Sequence, residues 1–133
     1  MFITDDQDYV LDALEPMVKT REWFSEGQMF ENAFVSTPVC CPSRASLLTG
    51  RYQHNTHVVN NSETGNCYGP EWINGIEATA TFGSIIKQEG NYNTFYAGKY
   101  LNRYKGKSVP TGWDQWAGLI GNSRYYNYQL NIN

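Results

Sequence analysis

Along the chain, short apolar runs alternate with segments of helical period, separated by polar and glycine-rich stretches, and this predicts α/β organisation. Phe2 to Thr4 reads as the end of a strand that stops at Asp5-Asp6. Pro16 is placed to open a helix carrying Met17, Val18, Arg21 and Phe24, with Gly27 as its C-terminal stop. Met29 to Val35 reads as a second strand, with Phe30, Ala33, Phe34 and Val35 as its apolar content. Pro42 to Leu48 is a helix stopped by Thr49-Gly50, and Gln53 to Gly75 is an irregular loop rich in Asn, Gly and Ser. A further helix covers Thr81 to Gln88, with Phe82, Ile85 and Ile86 on one side and Gly90 as the stop. Asn93 to Ala97 is the next strand, and the aromatic, turn-rich tail from Pro110 onward holds a possible strand at Arg124 to Leu130. No internal repeat, low-complexity tract or interdomain linker interrupts this order.

In open α/β sheets, ligands gather beyond the carboxyl ends of the strands. Three polar clusters follow expected strands here: Asp5-Asp6, Cys40 to Arg44, and Gly98-Lys99. Their convergence on one site is a topological expectation, independent of what each cluster does.

Composition narrows the class. At 133 residues the chain suits one small domain with a core of its own and is too short for two. With 41% apolar and 17% charged residues it is neither a disordered chain nor a membrane one, and no run approaches the roughly 20 apolar residues of a bilayer span. A net charge of −3 without any Lys/Arg cluster excludes a strongly basic nucleic-acid binder. The ten Tyr, six Phe and four Trp suit a carbohydrate-handling surface and an ordinary core equally. Met1 stands directly before the first expected strand, with no basic start and apolar stretch of a signal peptide ahead of it. Asn60-Asn61-Ser62 is an N-glycosylation sequon and points, weakly by itself, to a secretory route.

Cys40, Cys41 and Cys67 cannot all pair within the chain. Zinc ligation together with His54 and His57 has the right residue types, but the spacing matches no structural zinc pattern and adjacent cysteines are awkward for tetrahedral ligation. Pro42 suits the first turn of a helix, which leaves Cys40 just ahead of a helix N-terminus. Unpaired backbone N–H groups and the positive dipole end would then face an anion, with Arg44 adding a charged fork one turn in. The bland alternative for Cys40 is a small buried hydrophobe. Adjacent carboxylates at Asp5-Asp6 are unfavourable unless a cation or basic groups compensate them, and a hard divalent ion would do so. Read in isolation, the pair is better taken as a solvated acidic turn.

Cys40-Cys41-Pro42-Ser43-Arg44, followed by Thr49-Gly50, resembles the signature of the formylglycine-dependent sulfatase family, in which Cys-x-Pro-Ser-Arg precedes Thr-Gly. The order Thr4-Asp5-Asp6-Gln7-Asp8, His54-Asn55, Val58 to Asn61, Gly98 to Asn102, Gly112-Trp113 and Asn122 to Tyr128 is similar to a branch of that family. That branch comprises the N-acetylglucosamine-6-sulfatases and the extracellular heparan 6-O-endosulfatases. The resemblance implies a partial alkaline-phosphatase-like α/β fold, with residues 1–133 the N-terminal part of a single sulfatase catalytic domain, truncated at its C-terminal side and at its N-terminus. It implies Cys40, Arg44 and Lys99 as catalytic residues, with Cys40 oxidised to formylglycine by a formylglycine-generating enzyme. Asp5, Asp6 and Cys40 would hold one divalent ion, most plausibly calcium, and Asn60 would carry a glycan. The implied substrate is the 6-O-sulfate of glucosamine units in glycosaminoglycans, and the implied location is lysosomal or secreted. Many relatives follow Gly-Lys with an aromatic residue and then histidine, whereas Tyr100-Leu101-Asn102 stands here; His54 and His57 are the substitutes for the leaving-group acid. A phosphatase of the same broad fold is disfavoured by Cys40, since it would carry Ser or Thr there. The remaining alternative is a catalytically incompetent or glycan-binding remnant.

Overall fold

The computed structural model describes residues 1–133, which divide into two compact units, Met1–Phe34 and Val35–Asn133.

The first unit is built from turns and one short helix, α1 (Val18–Trp23), none of whose residues is buried. Local polar contacts hold it: Gln7 donates to the Ala13 carbonyl at 3.2 Å, Asp8 accepts from the Leu11 N–H at 2.7 Å, and Arg21 pairs with Glu15 at 2.7 Å. The expected strands at Phe2–Thr4 and Met29–Val35 do not form. An apolar run becomes a strand only where a second backbone takes up its hydrogen bonds. None does so within this unit, and Phe2, Phe30 and Phe34 are exposed. The helix expected from Pro16 is present but starts at Val18, because Met17 closes a turn onto the Leu14 carbonyl.

The second unit holds the core. Its elements are α2 (Cys40–Thr49), α3 (Gln53–Thr56), a 3-10 turn at Glu63–Gly65, a π-helical turn at Trp72–Ile76, α4 (Phe82–Glu89), β1 (Phe95–Lys99), β2 (Gln115–Leu119) and β3 (Leu130–Ile132). The sheet order is β1-β2-β3, with β1 parallel to β2 in the register Phe95 to Gln115, and β3 antiparallel with Leu130 opposite Leu119. This mixed sheet with helices bears out the α/β expectation. Several elements differ from the sequence reading, and the strand expected at Asn93–Ala97 is shifted to Phe95–Lys99, so that Gly98 and Lys99 end the strand instead of following it. Gln53–Gly75 is not wholly irregular, β2 was not anticipated, and the tail strand is confined to Leu130–Ile132. β2 escapes a pattern search because Trp116, Gly118 and Leu119 are all buried, which hides the period-two alternation.

A disulfide between Cys41 and Cys67, with Cα atoms 5.8 Å apart, joins the first turn of α2 to the loop before the π-helical turn. Around it pack Ala45, Leu48, Val58 and Trp72, and then a cluster of aromatic rings. Tyr96 stacks on Trp116 at 4.8 Å, and Tyr100 and Tyr104 meet the same indole edge-on at 5.4 and 5.5 Å. Edge-to-face and offset pairs of this kind exploit the ring quadrupole as well as the buried area. Their polar ends are matched: the Tyr104 hydroxyl donates to the Ser108 carbonyl at 2.6 Å and accepts from Trp116 Nε1 at 3.0 Å and from Asn131 at 2.7 Å.

Helix α4 starts and stops where expected, with Thr81 capping the Ser84 N–H and Gly90 following its last residue. Of the expected apolar side, Phe82 packs against the core and Ile86 is half-buried, but Ile85 is not covered. Gly83 and Ser84 face inward, while Ile85 is 47% exposed. The reason is close backbone approach: a Cβ on Gly112 would lie 2.4 Å from the Ser84 nitrogen, and one on Gly83 2.6 Å from the Trp113 ring. Only the smallest side chains admit that loop, and Ser84 anchors it by donating to the Thr111 carbonyl at 3.1 Å.

Glu77 is a buried acid whose Oε1 accepts from Trp72 Nε1 at 3.2 Å and from the Tyr100 hydroxyl at 3.1 Å. Burial raises its pKa, and the two donors oppose that only in part. At the chain's other polar anchor, Lys87 and the Thr94 N–H hold the Asp114 carboxyl below its ordinary value.

Two outcomes follow. Replacing Cys67 by Ser opens the loop spanned by a sequence separation of 26 and is expected to cost roughly 3–4 kcal/mol, read as a lower urea midpoint. A raised carboxyl pKa means that the folded state holds its proton more tightly than the unfolded one. The Glu77 contribution is therefore complete below the ordinary value of 4.5 and is lost as pH rises through the folded value. Glu77→Gln keeps an acceptor for Trp72 and Tyr100, so it should be more stable than the parent at neutral pH and should flatten this part of the profile, measured by urea unfolding from pH 4 to 7.

Candidate active site

The second unit brings three of the expected residues into one structural account. Val39 is the N-cap of α2, so Cys40 is the first helical residue rather than lying ahead of the helix. The first α-helical bond runs from the Ser43 N–H to the Val39 carbonyl at 3.0 Å. Pro42 therefore sits in the first turn, where a missing N–H costs nothing. Gly50 ends the helix with φ 65°, the left-handed stop anticipated for Thr49-Gly50.

Cys40 is the free cysteine, partly exposed, and its neighbour Cys41 is fully buried and oxidised. This resolves the count of three and removes the zinc alternative, since two of its ligands are spent on each other. It also sets aside the reading of Cys40 as a buried apolar filler.

One part of the anion-binding expectation is corrected. Among the N–H groups of the first turn, expected to be unpaired, that of Cys41 donates to Asn61 Oδ1 at 2.8 Å, and Pro42 has no N–H to offer. Arg44 donates from Nη1 to the Lys99 carbonyl at 2.6 Å, and the Tyr96 hydroxyl donates to the same oxygen at 2.6 Å. This carbonyl, at the last residue of β1, thereby ties the signature helix to the sheet. Lys99 itself is only 9% exposed. Burial raises the Tyr96 pKa against the opposing charge of Arg44, so the phenol keeps the proton it donates. Arg44 is the one cationic side chain shown at that carbonyl, and a guanidinium fork suits an oxyanion better than a neutral substrate.

Asn61 and Tyr96 are the residues that sequence reasoning missed as site-forming. Asn61 was visible only as the middle of a sequon and the end of the Val58 to Asn61 stretch, and Tyr96 only as strand content.

The histidines are otherwise engaged. His54 stacks on Tyr52 at 5.9 Å. His57, with φ 55°, has Nδ1 2.5 Å from a Glu71 carboxylate oxygen, both side chains being exposed. Asn60 is exposed, and its Oδ1 accepts from the Ser62 N–H and hydroxyl at 2.7 and 2.6 Å. In the first unit, Asp5 and Asp6 are both exposed in a bend, Asp6 with φ 52°. Asp tolerates that left-handed conformation better than most residues do. No helix is long and apolar enough to cross a membrane.

A model of the Sulfatase family matches residues 11–133. The whole chain is 47% identical to human N-acetylglucosamine-6-sulfatase, of which it covers 25%, and 44% identical to the Drosophila melanogaster extracellular sulfatase SULF-1 homolog, of which it covers 12%. A Volvox carteri arylsulfatase is 33% identical over 90% of the chain, which spans 19% of that protein. The chain thus covers about a quarter or less of the length of these relatives. No solved structure matches it. The mixed α/β content accords with part of the alkaline-phosphatase-like fold of these enzymes, and the chain belongs to the sulfatase family.

Proposed function

We propose that this chain is the nucleophile-bearing part of a hydrolase that removes 6-O-sulfate from glucosamine units of glycosaminoglycans. The observation that carries the reading is the state of the two adjacent cysteines. Cys41 is locked in a buried disulfide, whereas Cys40 remains a partly exposed thiol at the start of the helix that carries Pro42, Ser43 and Arg44. A thiol left free inside a Cys-x-Pro-Ser-Arg signature is what a formylglycine-generating enzyme needs. The glucosamine specificity rests on the likeness to N-acetylglucosamine-6-sulfatases and extracellular sulfatases, and a lysosomal or secreted location rests on the same relatives.

As formylglycine, residue 40 supplies a hydrated aldehyde with one hydroxyl for attack on sulfur and a second whose deprotonation releases sulfate. The roles of the unmodified residues follow from charge. Arg44 orients and neutralises sulfate oxygens with a fixed fork, and Lys99 adds a second cation as charge shifts towards them in the transition state. Tyr96 holds the Lys99 backbone, which makes it a positioning residue. Asp5 and Asp6 are adjacent, exposed carboxylates, a hard-oxygen donor pair that fits calcium, and they would hold the ion with residue 40 as a further ligand. Such an ion would supply positive charge for the sulfate oxygens. Asn60 is the glycan acceptor.

The deciding experiment is the tryptic mass of the Cys40 peptide after co-expression with a formylglycine-generating enzyme. Conversion of the thiol to the aldehyde is expected; an unmodified thiol beside a fully converted control substrate would favour a non-catalytic glycan-binding remnant. The 133-residue chain by itself is expected to show no sulfate-ester turnover, since it spans about a quarter of the length of the N-acetylglucosamine-6-sulfatase it matches. Turnover on a fluorogenic sulfate ester that survives purification to homogeneity would contradict this.

A further inference from the structure

Strand β3 ends the sheet and has β2 on one side only. In an antiparallel pair, the backbone groups of successive residues point alternately towards the partner strand and away from it. The Ile120 N–H donates to the Gln129 carbonyl at 2.9 Å, and the Asn133 N–H donates to the Trp116 carbonyl at 3.3 Å. With Gly118 opposite Asn131, this places the backbone groups of Gln129, Asn131 and Asn133 on the β2 side. Leu130 and Ile132 therefore turn their N–H and C=O groups to the open edge. Asn131 pins that register, because its side chain donates to the buried Tyr104 hydroxyl at 2.7 Å. A slip by one residue would lose this bond and exchange the two faces of the strand.

Open edges invite pairing, and proteins ordinarily blunt them with charge, proline or a covering segment. At the other side of the sheet, Arg44 and Tyr96 occupy the carbonyl that ends β1. The β3 edge has no such guard. From Tyr125 to Asn133 no side chain is charged and none is proline. Leu130 and Ile132 share the face opposite Asn131 and are 40% and 69% exposed.

An edge of this kind is complementary to itself. Two copies set antiparallel about a two-fold axis through Asn131 bring Leu130 of one opposite Ile132 of the other, and the reverse. Each of these two equivalent pairs exchanges two backbone hydrogen bonds. The leucine and isoleucine side chains become cross-strand neighbours, with no like charges to oppose them. We propose that the β3 edge is a self-association surface whose partner is a second copy of this chain, joined by antiparallel pairing centred on Asn131. The contact is isologous and closes at two copies. With strands of three residues the interface is small, so the dimer is weak and concentration-dependent rather than obligate. The inference goes beyond the sulfatase reading and uses none of that site's residues.

The test is sedimentation equilibrium of the 133-residue chain, combined with amide hydrogen exchange read by NMR in dilute and concentrated solution. A monomer–dimer equilibrium is expected. The Leu130 and Ile132 amides should exchange freely when dilute and gain protection as the dimer forms, whereas the Asn131 amide is protected throughout. Ile132→Pro removes one outward N–H from each copy without touching the β2 ladder, and should weaken association by about tenfold or more. Ile132→Lys, which sets a charge on each side of the seam, should weaken it comparably. A chain that stays monomeric up to roughly 1 mM overturns the proposal. So does association that leaves the Leu130 and Ile132 amides unprotected, persists unchanged in both variants, or grows past two copies.

Discussion

The disulfide between Cys41 and Cys67 fixes the first turn of α2 against the loop that leads into Trp72, and with it the direction in which that helix presents its first residue. A cross-link there has an effect beyond stability. It removes from the thiol pool the one cysteine that stands next to Cys40, so that two residues of identical chemistry end in opposite states. Cys41 is fully buried and oxidised, and Cys40 is reduced and reachable. Asn61 completes the arrangement by taking the Cys41 N–H, so the turn is held by a covalent bond on its side chain and a hydrogen bond on its backbone.

The same economy of anchoring recurs at the sheet. A single carbonyl, that of Lys99, receives both the Arg44 guanidinium and the Tyr96 phenol, and so joins the helix that carries Cys40 to the strand that carries the lysine. Tyr96 in turn is wedged against Trp116 and Trp113 within the aromatic cluster. The abundance of aromatic residues, ambiguous in the composition, resolves mostly towards packing in this part of the chain. Tyr68, Tyr100, Tyr104, Trp72 and Trp116 are all core, with hydroxyls and indole N–H groups matched to partners. Tyr125 and Tyr126, by contrast, are exposed in the bend before β3.

Two carboxyl groups of the second unit, buried Glu77 and exposed Asp114, depart from their ordinary pKa in opposite directions. Glu77 ties the π-helical turn to Tyr100 while its carbonyl accepts from Thr81 and Ser84, so one residue joins three segments. Its raised pKa and the lowered pKa of Asp114 act in opposite directions on stability. Acidification relieves the charge on Glu77 and weakens the anchoring of Lys87 and Thr94 by Asp114.

What the sequence determined by itself was local. The helix from Pro42 to Leu48 with its glycine stop, the capped helix at Thr81, the strand running into Gly98-Lys99 and the signature around Cys40 depend on neighbours a few residues apart, and composition states them directly. What only the tertiary structure decided were the relations between distant segments. Phe2–Thr4 and Met29–Val35 have strand composition but no partner backbone within their unit, whereas Gln115–Leu119 gains its strand identity from pairing with β1 and β3. The pairing of Cys41 with Cys67, the burial of α4 through Gly83 and Ser84 instead of Ile85, and the role of Asn61 belong to the same class. Hydrogen bonds and close backbone contacts between residues far apart in the chain leave no periodicity in the sequence, because their cost and gain are settled only when the segments meet.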